Sequence, residues 1–213
     1  MKDLSNYRKD YGKSKESLED NNLPNNPIKL FIKWFDELNN KKLDHEINAM
    51  TLSTVDFDGK PTNRIVLLKE FSKKGFVFFS NYNSNKGIHI KNNPNVCISF
   101  FWPDVEQQII INGIVTKISD EESDKYFSSR PIDSQIAAII SNQSDTIPSR
   151  DFLIKEIECF SKTDEKIERP DNWGGYILEP EKYEFWQGRE NRLHDRISYK
   201  KENNIWSFVR LSP

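Results

Sequence analysis

The run from Phe185 to Arg196 holds three arginines, a histidine and two acids beside two large aromatics. A hydrophobic core has no use for that mixture. Arg192 and His194 are two positions apart, so on a strand they project from one face. A planar cation and a titratable ring sharing a face can hold and polarise a flat, anionic ligand. The same run also suits a surface hairpin of ion pairs anchored by Phe185 and Trp186.

A second group of residues has the makings of a phosphate site. Ser119-Asp120-Glu121-Glu122 fits a capping box and opens a helix that Pro131 must end. Tyr126 and Arg130 are one turn apart and share a face of it. Asp133 can cap a following helix, which puts Ser134 and its backbone N–H in the first turn. A phenol, a guanidinium, a hydroxyl and a positive helix end then converge on one phosphate. A plain helix–helix corner with a surface arginine fits the segment equally well. Further candidates are Arg64 and Lys69, Lys86 at a helix start, and Gln143 with Ser144 in a polar loop. Arg64 and Lys69 face opposite sides of one strand, so at least one needs a partner or a ligand.

The elements that must position these groups are mostly strands. One helix comes first: Asn26 can cap it, Pro27 suits its first position, and Ile28, Phe31, Trp34, Phe35 and Leu38 mark its buried face. Strands are predicted over 48–55 and 64–69, around a turn at Asp58-Gly59, then over 75–80, 96–102 and 107–118. After a helical middle, four more follow at 175–178, 183–187, 193–199 and 205–211. Many strands on short turns with inserted helices predict a mainly β chain with added helices (α+β). A closed or split barrel fits this better than a doubly wound sheet. No GxGxxG or GxxxxGK motif occurs.

Composition sets the outer bounds. The 213 residues suit one domain, 26–213, behind a polar N-terminal segment, 1–25, read as a solvated tail or as a lid closing on a ligand. A net charge of -2 argues against nucleic acid as the main partner, so any anion site must be built locally. Cys97 and Cys159 lie far apart, and His45, His89 and His194 have no ligand spacing, so neither a disulfide nor a metal is expected. A cytoplasmic location is expected, and no apolar run approaches a membrane span.

Together these segments resemble the pyridoxine (pyridoxamine) 5′-phosphate oxidases. The matches are Arg64-Ile65-Val66-Leu67-Leu68-Lys69, Tyr126-Phe127-Ser128-Ser129-Arg130-Pro131, Asp133-Ser134-Gln135-Ile136, Trp173-Gly174-Gly175 and the run from Phe185 to Arg196. The resemblance extends from about residue 8 to Arg210-Leu211-Ser212-Pro213. It implies an FMN-binding split β-barrel working as a homodimer, with its sites at the subunit interface. The implied reaction oxidises pyridoxamine and pyridoxine 5′-phosphate to pyridoxal 5′-phosphate with oxygen.

For FMN the resemblance points to Arg64, Ile65, Val66, Leu67, Leu68, Lys69, Phe79, Ser80, Asn85, Lys86, Gln108, Gln143, Ser144, Trp186 and Arg196. Arg64, Lys86 and Ser144 would hold its phosphate, while Gln108 and Trp186 would meet its ring or ribityl chain. For the substrate it points to Lys69, Tyr126, Arg130 and Ser134 around the phosphate. Arg192, Leu193 and His194 would lie at the pyridine ring, and Arg8, Lys9, Asp10 and Tyr11 would form the lid. Three positions depart from the family pattern: Asn85 replaces a basic residue, Phe79 a tyrosine and Glu46 a shorter acid. A flavin reductase on the same barrel and a non-catalytic carrier of flavin or pyridoxal phosphate are the alternatives.

Overall fold

A computed structural model of the chain describes residues 2–7, 10–12, 17–41, 43–163 and 166–213. Arg8 and Lys9, half of the expected lid, lie outside the described residues. Helix α1 (Pro27–Asn39) begins where its cap chemistry predicts, with the Asn26 side chain accepting the Ile28 N–H. Its buried face is Ile28, Leu30, Phe31, Trp34 and Leu38. The strands are β1 (Ala49–Val55), β2 (Pro61–Leu67), β3 (Glu70–Phe71), β4 (Phe76–Asn81), β5 (Asn95–Trp102), β6 (Gln107–Lys117), β7 (Trp173–Gln187), β8 (Asp195–Glu202) and β9 (Ile205–Arg210). Between them lie α2 (Asn85–Asn92), α3 (Asp120–Ser129), α4 (Ile132–Ile140) and α5 (Arg150–Phe160). The mainly β pattern with added helices is therefore as expected. Among the described residues, no helix is long and apolar enough to cross a membrane.

The strands are hydrogen-bonded in the order β2-β1-β5-β6-β7-β4-β3, with β8 on β7 and β9 on β8. Two expected strands, 175–178 and 183–187, are one. β7 pairs with β4 from Trp173 to Leu178 and with β8 from Lys182 to Gln187. Pro180 falls between those stretches, where neither β4 nor β8 pairs with it.

The chain divides into two compact units. The first comprises Met1–Thr51, Cys97–Gly113 and Pro180–Pro213. Its core is aromatic: Trp34 lies 5.3 Å from Phe185, Phe31 lies 5.4 Å from Phe100, and Phe185 lies 5.9 Å from Tyr199. Its N-terminal segment is tied down, since the Tyr199 hydroxyl donates to Pro24 O at 3.0 Å and Arg210 pairs with Asp20. The second unit comprises Leu52–Val96 and Ile114–Glu179. There β4 and β7 run antiparallel with Phe78 opposite Tyr176, rings 5.4 Å apart. Gly175 has to be glycine, because a Cβ there would sit 2.3 Å from Ile118 Cδ1 and 2.9 Å from the Phe79 ring.

Phe185 is fully buried between Trp34, Tyr183 and Tyr199. Phe185→Ala should cost about 3–5 kcal/mol of stability, because these rigid rings cannot close over the lost volume. Urea unfolding followed by tryptophan fluorescence checks this, and an unchanged midpoint would contradict the packing described.

Candidate functional site

Two cavities collect most of the residues singled out from sequence. The larger, of about 520 Å³, lies in the second unit. Ile65, Val66 and Leu67 of β2 line it, with Lys69, Phe79, Ser80, Lys86, Tyr126, Arg130, Ser134, Gln143 and Trp173. β2 ends at Leu67, so Arg64 and Lys69 do not face opposite sides of one strand as expected. Lys69 lies beyond it, where its N–H is drawn to Val77 O at 2.8 Å, and this turns the side chain to the cavity.

At one end of the cavity is a buried ammonium. Lys86 stands in the first turn of α2, capped by Ser84. That turn packs tightly on Tyr82: a Cβ on Gly87 would lie 2.1 Å from Tyr82 O. Lys86 Nζ donates to Gln143 Oε1 at 2.8 Å and to Ser84 Oγ at 3.0 Å. Ser80 Oγ donates to the same Gln143 oxygen at 3.3 Å. Burial first, and the charge of Arg64 second, push the Lys86 ammonium down to about 8. Arg64 does not line the cavity; it donates to Leu52 O (3.0 Å), Thr54 Oγ1 (2.8 Å) and Thr62 Oγ1 (2.6 Å). Among the described residues, neither cation has a carboxylate partner. Two neighbouring, partly buried cations without an acid favour an anion between them.

At the other end is the expected phosphate corner. The capping box of α3 is present, and Tyr126 and Arg130 reach the cavity together. Arg130 Cζ lies 4.6 Å from the centroid of Trp173, a cation–π contact. Its Nη1 is buried and has no hydrogen-bond partner among the described residues. Phe79 stacks on Tyr126 at 3.8 Å. The cap of α4 differs from expectation. Pro131 flanks the helix, Asp133 falls inside the first turn, and the Ser134 N–H is taken by Pro131 O at 2.9 Å. Ser134 therefore offers its hydroxyl rather than its backbone to a ligand. Trp173, noticed in sequence only as part of a motif, is a wall of this corner.

The second cavity, of about 390 Å³, belongs to the first unit and is lined by Tyr7, Asp10, Tyr11, Arg189, Asn191, Arg192 and His194. Arg192 and His194 meet there, but not as neighbours on a strand. β8 starts only at Asp195; Glu190–Arg192 form a 3₁₀ turn, with Asn191 and Arg192 at φ 55° and 63°. Two successive left-handed residues, rather than strand alternation, bring the guanidinium to the cavity. The Arg189 backbone N–H donates to His194 Nδ1 at 3.0 Å, which leaves the ring proton on Nε2. Burial, and then the Arg192 charge, hold this imidazole below its ordinary value. His194 packs against Trp186 at 4.8 Å and Tyr11 at 5.6 Å.

Other expected residues line neither cavity. Leu68 is buried and Leu193 is 70% exposed. Asn85 gives only its backbone N–H, to Ser144 Oγ at 3.2 Å. Gln108 and Trp186 are half-buried on β6 and β7. Arg196 pairs with Glu184 at 2.8 Å and donates to Ser212 O.

Comparison with known proteins adds an independent finding. The family model "Pyridoxamine 5′-phosphate oxidase" matches residues 39–163. A second, "Pyridoxine 5′-phosphate oxidase C-terminal dimerisation region", matches residues 173–213. The chain is 52% identical over 215 residues to a pyridoxine/pyridoxamine 5′-phosphate oxidase of Flavobacterium johnsoniae, with both chains fully covered. It is 53% identical over 219 residues to the protein of that name in Flavobacterium psychrophilum, again with full coverage. The crystal structure of PhzG from Burkholderia lata 383 with tetrahydrophenazine-1-carboxylic acid superposes with a TM-score of 0.87 at 27% identity, covering 93% of this chain and 98% of that one.

The His194 geometry is testable. Its imidazole should titrate below the usual value of about 6.5, and Arg192→Ala should raise it by removing a repelling charge. NMR titration of the His194 ring protons reads this directly; a value unmoved by the substitution would mean that the two side chains do not interact.

Proposed function

The chain belongs to the pyridoxamine 5′-phosphate oxidase family, and from that premise we propose its reaction. It oxidises pyridoxine 5′-phosphate and pyridoxamine 5′-phosphate to pyridoxal 5′-phosphate with oxygen as acceptor. Hydrogen peroxide is released in both cases, and the amine also takes up water and releases ammonia. This serves the synthesis and salvage of the vitamin B6 cofactor. The fold is the split β-barrel of the family. One observation carries the substrate reading: Lys69, Tyr126, Arg130 and Ser134 share a cavity in which Arg130 Nη1 is buried without a partner among the described residues. A phosphate supplies what that atom lacks.

The residues present fit FMN. Arg64 and Lys86 are neighbouring cations with no acid among the described residues, and Ile65, Val66 and Leu67 give the same cavity an apolar side suited to a flat ring. In this reading Arg64, Lys86 and Ser144 hold the FMN phosphate, with Ser80 and Gln143 beside them. Gln108 and Trp186 meet the ring or ribityl chain, and Arg196 completes the set. The chemistry that FMN supplies when bound is acceptance of a hydride from the 4′ carbon and return of both electrons to oxygen. Asn85 lacks the charge of the basic residue it replaces, which removes roughly 1.5–3 kcal/mol of charge-assisted bonding from the cofactor.

This chain's own residues do the rest. The phosphate corner anchors the substrate by a group remote from the reacting carbon, which turns binding into orientation. Arg192 presents a guanidinium to the substrate ring and favours negative charge on it. His194, neutral with its proton on Nε2, donates a hydrogen bond to a ring substituent rather than acting as a base. Asp10 and Tyr11, which line the cavity beside Arg192 and His194, act as part of a lid over the substrate. The protein works as a homodimer with FMN at the subunit interface, a reading supported by the match of residues 173–213 to a dimerisation region.

The purified protein should show a flavin spectrum, and anaerobic pyridoxamine 5′-phosphate should bleach it with formation of pyridoxal 5′-phosphate. A spectrum that responds to NADH but not to this substrate would indicate a flavin reductase instead. Tight binding without peroxide would indicate a carrier. Arg192→Ala should keep its bound flavin while reduction slows by roughly 100-fold or more, the scale of losing one transition-state electrostatic contact. A colourless Arg192→Ala protein would instead assign this residue to the cofactor.

A further inference from the structure

The phosphate corner is braced from behind by a residue that does not line it. Arg169 precedes β7, and its side chain is only 8% exposed. Its Nε donates to Asp124 Oδ1 at 2.5 Å and its Nη2 to Asp120 Oδ1 at 2.9 Å, both on α3. Its Nη1 donates to the backbone oxygen of Trp173 at 2.7 Å. One guanidinium thus joins the first half of α3 to the first residue of β7.

Trp173 carries the connection to the other end of α3. Its indole lies 4.6 Å from Arg130 Cζ and parallel, within 3°, to the Tyr126 ring at 6.2 Å. Both residues that face the phosphate from α3 are therefore set against a ring whose backbone Arg169 holds. Asp120 and Asp124 are exposed, at 87% and 60%, so solvent screens these ion pairs from the carboxylate side. Fixed donor geometry is what the cluster supplies. A separate bond, from the Gly175 N–H to Ser123 Oγ at 3.2 Å, also ties α3 to β7, so the fold does not rest on Arg169 alone.

We propose that Arg169 is a positioning residue for phosphate recognition: it fixes Trp173 against α3, so that the indole holds the Arg130 guanidinium where the substrate phosphate binds. This rests on the function proposed above. In the FMN-loaded full chain, Arg169→Met should lower kcat/KM for pyridoxine 5′-phosphate roughly tenfold, because a displaced remote anchor costs orientation as well as affinity. Turnover of unphosphorylated pyridoxine should be unchanged, so the preference for the phosphorylated substrate should shrink. Arg169→Lys should recover part of the loss. The double variant Asp120→Asn/Asp124→Asn, altered only at exposed partners, should shift the preference the same way and serves if Arg169→Met does not fold.

An unchanged preference in a folded variant, or equal losses on both substrates, overturns the proposal. Calorimetric titration with inorganic phosphate separates it from the reaction itself. A wild type that oxidises neither vitamer refutes that reaction, while weaker phosphate binding in the variants still supports the brace. A wild type that turns over the vitamers but binds no phosphate refutes the brace and leaves the reaction standing.

Discussion

A guanidinium buried with a free donor is the constraint from which the rest of the larger cavity can be understood. Arg130 rests on Trp173 and, among the described residues, meets no carboxylate and leaves its buried Nη1 unpaired. Leaving such a group unsatisfied is costly, and an acid beside it would neutralise the site against anions. The stack on an aromatic face holds the cation without cancelling its charge. The same logic governs the opposite end, where Lys86 is held by two neutral oxygens, of Ser84 and Gln143, and remains free to meet an anion.

Local chemistry makes those placements possible. The capping box at Ser119 fixes where α3 starts, and Pro131 fixes where it stops, so Tyr126 and Arg130 emerge at a set height. Gly87 lets α2 close on Tyr82, and Gly175 leaves room for Phe79, which stacks on Tyr126. None of these residues has to touch a ligand. Each removes a degree of freedom from one that does.

Where the two lines of reasoning part, a turn is responsible. Arg192 and His194 were expected to share a strand face, and they do share a cavity. A pair of left-handed residues before β8 brings them there. Asn191 tolerates that conformation and Arg192 adopts it at some cost, which the twofold period of a strand cannot reveal. The cap of α4 shows the same limit: Asp133 has the right chemistry for a cap, but the proline before Ile132 places the boundary two residues earlier.

The sequence alone determined the starts of α1 and α3, the strand-rich class, the near-neutral charge and the grouping of Tyr126, Arg130 and Ser134, because caps, periodicity and short spacings are local. Family likeness, read from motifs, supplied the flavin, which no local pattern requires. Only the tertiary structure decided that Arg64 is tied to Leu52, Thr54 and Thr62, that Lys86 is held by Gln143, and that Trp173 and Arg169 stand behind Arg130. The contacts of Arg64 with Leu52 and Thr54 and of Lys86 with Gln143 join residues 10 to 57 positions apart, and which partners meet across such distances is set by sheet register and helix packing rather than by spacing along the chain.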